Sequence, residues 1–298
     1  MKFLSTKGAC RRAVIGLAIG ALLAVASGES RAAKDWSELT LAIASTGGDA
    51  ASAGDRAFGG FEQVLAKELC RRMAIHCTII DEDRDRILAG LLAGKTDAAM
   101  ARLPDTPAFA AIVAFSEAYA VPRHGFALAR SGSLADLPGT GKSLSLKVTP
   151  ADAQAAIEAL RQILRGRRIG AETGTADLRF LETYLADVAT VSAYPTSDAA
   201  AQDLLQGRLD AVMAPTTELA VAGERPGFQA LVRAGPEFGQ DDLFGDGVAV
   251  ALRKSDPDLR DKFSRAIDSM IADGSLRVLS LRWFATDITP HRCNCKPF

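Results

Sequence analysis

The chain has 298 residues, of which 48% are hydrophobic and 24% charged, with a formal net charge of -1 and five cysteines. That balance supplies apolar material for one large or two ordinary globular domains and excludes a disordered or fibrous polymer. It also excludes an electrostatic case for a nucleic-acid partner, which a basic surface would have to make.

Residues 1–32 differ from the rest. Lys2, Lys7, Arg11 and Arg12 form a positive start, "AVIGLAIGALLAVA" follows as an apolar run, and "SRA" offers small residues for cleavage. This is the pattern of a cleaved secretory signal, and the run is short for a membrane anchor. The expectation is an exported mature protein. Residues 1–32 carry Lys2, Lys7, Arg11, Arg12 and Arg31 against Glu29, so the remainder is acidic, with a formal charge of -5. Cys10 precedes the apolar run, a position that argues against lipid modification.

Strand-like and helix-like segments alternate after Trp36. "LTLAIAS" reads as a buried strand, and "GFEQVLAKELCRRM" as a helix through Phe61, Val64, Leu65 and Leu69. "CTIID" is a strand, "RILAGLLAGK" a short helix closing at Gly94, and "TDAAMA" another strand. Such order implies mostly parallel sheet covered by helices. The stretch from Ala98 to Ala120 carries only Arg102, Asp105 and Glu117 as charges, but Pro104 and Pro107 rule out a membrane span.

A second block begins with the strand "GFALA". A helix then starts with Thr149 as N-cap and Pro150 at its first position, carries Ile157, Leu160, Ile163 and Leu164 on one face, and stops at Gly166. The strand "RIGAE", the turn "TGT" and the helix "ADLRFLETYLA" follow, and Gly174 leaves backbone N–H groups available at a helix start. "SDAAAQDLLQGRLDAVMA" gives a helix and a strand, and "GDGVAVALRK" another strand. The segment 258–284 gives two helices hinged at Gly274.

Cys70 and Cys77 stand where a helical pattern hands over to a strand, which suits a local disulfide, with two free buried thiols as the alternative. Cys293, Cys295 and His291 fall short of a metal-ligand set, so no metal or other cofactor is expected and a tail disulfide is the better reading. "GTGKS" lacks the upstream glycine of a phosphate-binding loop, since Asp136 holds that place. His76, His124 and His291 lie in no recognisable catalytic motif.

Six blocks resemble, in order, the extracellular solute-binding proteins that serve polar amino-acid ABC importers: "GFEQVLAKELCRRM", "LLAGKTDAAMA", "VAFSEAYA", "IGAETGT", "LLQGRLDAVMA" and the stretch from "GVAVALRK" to "RWF". The resemblance spans about residues 36–290 and implies a type II periplasmic-binding fold. In that fold two α/β lobes, each a mostly parallel sheet flanked by helices, are joined by two crossover strands and trap a ligand by hinge closure. It implies a first lobe of 33–122 plus 238–298 and a second of 123–237. The spacing of Cys70 and Cys77 is similar to the disulfide of the basic amino-acid and opine-binding branch.

What the resemblance implies for the site departs from its own pattern. Phe109 stands where an arginine would hold an α-carboxylate, and Pro215 where an aspartate would hold the α-ammonium. Asp49 and Arg84 fall where aromatic platforms are expected. An α-amino acid left without partners for both charges would bind poorly. The expectation is a small anionic or neutral polar solute, with Arg84 and Arg102 as cations, Asp105 on the cleft loop, and Phe109 as an apolar wall. Thr106, Thr173, Thr175 and the backbone of Gly174 would supply hydrogen bonds. The expected protein is a non-enzymatic, monomeric receptor delivering to a membrane permease. The alternatives are an accessory or sensor protein acting through a periplasmic protein partner, and a dehydratase using Asp49, Asp105 or Glu172.

Overall fold

The computed structural model describes residues 36–45 and 53–290. The expected secretory signal over residues 1–32, Asp49, His291, Cys293 and Cys295 lie outside them. Among the described residues no helix is long and apolar enough to cross a membrane.

The first sheet is built from β1 (Glu38–Ala44), β2 (His76–Glu82), β3 (Ala98–Met100), β4 (Ala114–Ala120) and β11 (Val248–Leu252), in the order β2-β1-β3-β11-β4. Period-2 alternation gives the inner strands two buried faces, while the edge strand β2 stays partly exposed. Leu41 and Ile43 point into one cluster with Phe61, Leu65, Phe263 and Phe284, while Ala42, Ala44 and Ala99 meet Ile87 and Leu91 on the other face. The covering helices are α1 (Ala53–Met73), α8 (Pro257–Ala272) and α9 (Ser275–Phe284) on the first face and α2 (Arg84–Leu92) on the second. α1 begins earlier than its periodicity suggests, because Phe58 joins the buried face. Gly274, at φ 77, makes the turn between α8 and α9 in a backbone region that suits glycine. The one-turn α3 (Pro107–Ala110) precedes β4.

The chain crosses to the second sheet between β4 and β5 (His124–Ala129) and returns between β10 (Leu231–Phe238) and β11. That sheet also holds β6 (Ser143–Leu144), β7 (Arg168–Glu172), β8 (Thr190–Tyr194) and β9 (Ala211–Pro215), in the order β6-β10-β5-β9-β7-β8. Phe126, Ile169 and Met213 pack toward α4 (Pro150–Ile163) and α5 (Ala176–Tyr184). Ala127, Val212 and Ala214 pack toward α6 (Ser197–Leu205) and α7 (Thr216–Gly223). Ile157, Leu160 and Leu164 are buried as expected, but Ile163 is 46% exposed, because it falls off their face of the helix. Thr149 precedes α4 without capping it; its hydroxyl instead accepts from the backbone N–H of Ser145.

This is the two-lobe type II architecture that the sequence suggested, with one refinement: both sheets are mixed. β3, β11 and β4 are antiparallel neighbours, as are β10, β5 and β9. "GTGKS" lies in the connection between β5 and β6, with Gly139 and Gly141 at φ 86 and 84, as a loop should be. The sulfurs of Cys70 and Cys77 lie at bonding distance, 2.04 Å, with Cα atoms 6.1 Å apart, tying the end of α1 to the start of β2.

Candidate functional site: a cleft between the two sheets

Strand ends from both sheets meet at a cleft of about 450 Å³, where ligands of open α/β sheets commonly sit. One wall comes from the first sheet: Phe58, Arg84, Leu88, Arg102, Leu103 and Phe109. The other comes from the second sheet and the crossovers: His124, Glu172, Asp177, Ser197, Glu218 and Phe244.

The first wall is organised around Arg102. Its loop leaves β3 and is fastened by the Asp105 N–H donating to the Gly247 carbonyl at 2.8 Å. Arg102 has φ 51, a left-handed backbone uncommon for a residue with a side chain. Its N–H donates to Glu62 Oε1 at 2.9 Å, and the Tyr119 hydroxyl donates to the same oxygen. Burial pushes the Glu62 carboxyl above its usual value, against the pull of these two donors and of the Arg102 and Arg84 charges. The Arg102 guanidinium lies 5.6 Å from the Phe58 ring centre and donates to Glu218 Oε1 at 2.8 Å.

Glu218 belongs to the opposite wall, in the first turn of α7, so the ion pair spans the cleft. The chain of contacts continues through Ser197, whose hydroxyl lies 2.7 Å from Glu218 Oε2 and 2.8 Å from Glu172 Oε2. The Ser197 N–H also donates to Glu172 Oε2 at 2.8 Å, which places that carboxylate on a helix-start donor that has no partner within α6. Glu172 is otherwise positioned by its turn: Gly174, at φ 78, lets the chain reverse, and the Thr175 hydroxyl donates to the Glu172 carbonyl at 2.7 Å while capping α5. Beside it, His124 Nδ1 lies 2.9 Å from Asp177 Oδ1, and its ring stacks on Phe244 with centroids 4.2 Å apart.

Of the residues expected at the site, Arg84, Arg102, Phe109, Gly174, Thr175 and Pro215 line this cleft. Three others do not. Thr106 is buried and accepts from the Phe109 N–H as the cap of α3. Asp105 faces a separate cavity bounded by β4 and α8, where burial and the Asp246 charge raise its carboxyl. Thr173 is exposed on the turn ahead of Gly174 and lies outside the cleft lining. Glu62, Asp177 and Glu218 were missed as contributors to the cleft's electrostatics, since each gains its partner from a distant part of the chain. Among the described residues no group of three or more His, Cys, Asp or Glu is arranged to hold a metal.

The family profile described as bacterial extracellular solute-binding proteins, family 3, matches residues 50–286. The chain belongs to that family. An octopine-binding periplasmic protein of Rhizobium meliloti is 34% identical over 250 residues, covering 78% of this chain and 84% of the relative. A periplasmic His/Glu/Gln/Arg/opine family-binding protein from Silicibacter pomeroyi, solved with lysine, has the same fold. Its TM-score is 0.56 at 23% identity, over 85% of this chain and 100% of that one. An ancestral amino acid-binding protein described as a precursor of cyclohexadienyl dehydratase matches with a TM-score of 0.59 at 19% identity, over 83% of this chain and 96% of that one. Membership in the solute-binding family implies a small solute as ligand and an ABC-transporter permease as partner.

Proposed function

We propose that this protein is the exported receptor of an ABC importer and captures a small polar solute of the amino-acid or opine kind between its two walls. The observation that carries the reading is the cleft itself, of about 450 Å³, the size of a small-molecule site, with Arg102 of one wall paired to Glu218 of the other. The similarity to an octopine-binding relative supports an opine or amino acid over a sugar. Lobes of 33–122 plus 238–298 and of 123–237 would then close about the two crossovers. Arg102 does not act as a lone anion seat in this reading. Glu218 already answers its charge, so an anionic solute has to displace a carboxylate to reach it.

The test is a thermal melt of residues 33–298 against amino acids, opines, carboxylic acids and sugars, followed by solution scattering with each hit. A ligand that binds only the folded form, at 100 times its dissociation constant, adds about 2.7 kcal/mol. The expected result is a melt raised by a few degrees together with a smaller radius of gyration. A folded protein indifferent to the whole panel overturns the reading in favour of an accessory role. Conversion of a hit to product favours an enzyme.

A further inference from the structure

Ser197 stands between two carboxylates and has one hydroxyl hydrogen to give. Its Oγ lies 2.8 Å from Glu172 Oε2 and 2.7 Å from Glu218 Oε2. A hydroxyl donates once and an ionised carboxylate only accepts, so with both glutamates ionised one of these short contacts lacks a hydrogen of its own. The Ser197 N–H, donating to Glu172 Oε2 at 2.8 Å, relieves Glu172 but not Glu218. Two such anions around one oxygen call either for a cation close by or for a proton that turns one of them into a donor.

Arg102 of the facing wall is such a cation, 2.8 Å from Glu218 Oε1. Glu172, Ser197 and Glu218 sit on β7, α6 and α7 of the second sheet, whereas Arg102 sits on the loop after β3 of the first. Parting of the walls therefore takes the guanidinium away and leaves the two carboxylates and the serine together. The other charged groups around them have different partners or places. Asp177 of α5 faces His124 of β5, and Asp198 of α6 pairs with Arg225. α1, which meets Glu218 at Gly54, carries Arg56 exposed and Glu62 on the Arg102 N–H. Arg179 of α5 and Arg84 and Asp85 of α2 complete the charged lining of the cleft.

We propose that Arg102 and a proton are alternative partners of the Glu172–Ser197–Glu218 group, so that the cleft takes up a proton when its walls part and mild acid opens it. This uses the hinge movement of the reading above and requires no solute. The sign follows from linkage. The parted form binds more protons, so its share rises as pH falls, by up to about tenfold per pH unit for a single proton. A solute held between the walls is then released more readily on the acid side.

The experiment is small-angle scattering of the solute-free wild-type protein from about pH 8 to about pH 5, beside Glu172→Gln, whose amide donates to Ser197 Oγ without an added proton. The wild-type radius of gyration is expected to grow as pH falls, at constant helix content by circular dichroism, and that of Glu172→Gln to stay level. A level wild-type radius overturns the inference. So does growth that persists in Glu172→Gln, which would belong to His124 and Asp177. Should Glu172→Gln fail to fold, Arg102→Gln decides. With the competing cation removed, its radius is expected to match the acid value of the wild type at both ends of the range, and a radius that still grows in acid overturns the proposal. Because no solute is present, a blank solute panel leaves this result standing, and a level radius in a protein that binds solute removes this inference alone.

Discussion

The two walls of the cleft make opposite use of buried charge. On the first wall one guanidinium, Arg102, stands over a phenyl ring, and the carboxylate behind it, Glu62, is spent on the Arg102 N–H and the Tyr119 hydroxyl. On the second, Glu172, Asp177 and Glu218 gather around one serine and one histidine. A cation offered by one wall thus meets carboxylates offered by the other. The difference teaches that approach of the walls is itself electrostatically favourable, so a solute has to insert its own charges into an arrangement already paired.

The most direct way to break this comparison is to remove one side of the ion pair. Arg102→Ala or Glu218→Ala leaves a desolvated charge behind and should cost about 3 kcal/mol in urea unfolding. The double variant should cost less than the two singles together. Strict additivity would mean that the walls do not communicate through this pair. A smaller effect is expected from Gly54→Ala, whose new Cβ would lie 2.3 Å from Glu218 Cγ and 2.9 Å from its Cβ. Relief requires α1 and α7 to part, at about 1–3 kcal/mol, and scattering should report a more open particle. The smallest change sharpens the comparison from the second wall. Thr175→Ala removes the hydroxyl that caps α5 and should lower stability by about 1 kcal/mol, while leaving the Arg102–Glu218 pair intact.

How much of this was legible beforehand depended on the range of the interaction. α4 announced itself through Pro150 and its apolar face, and β7 through a short apolar run, because both signals are local. β10 was hidden, since Gly235 and Pro236 look like turn residues. They occupy a register shift between Ala234 and Phe238 where the strand absorbs them. At the site, Arg102 and Gly174 could be named from their places after strands. Glu218 could not, because its meaning comes from a residue 116 positions away. Thr106 failed for the reverse reason: its hydroxyl had a local use, capping α3. Asp49 lies outside the described residues, so its place on either wall stays an expectation.

The backbone at Arg102 carries one more consequence. At φ 51 a glycine would sit there with less strain, by about 1 kcal/mol. Every arginine codon becomes a glycine codon by one base change. The conformationally easier residue is therefore a single mutational step away, and that same step would delete the guanidinium that bridges to Glu218. Local comfort and inter-lobe charge pull in opposite directions at this codon, and a random-substitution library read out separately for stability and for solute capture would see them part.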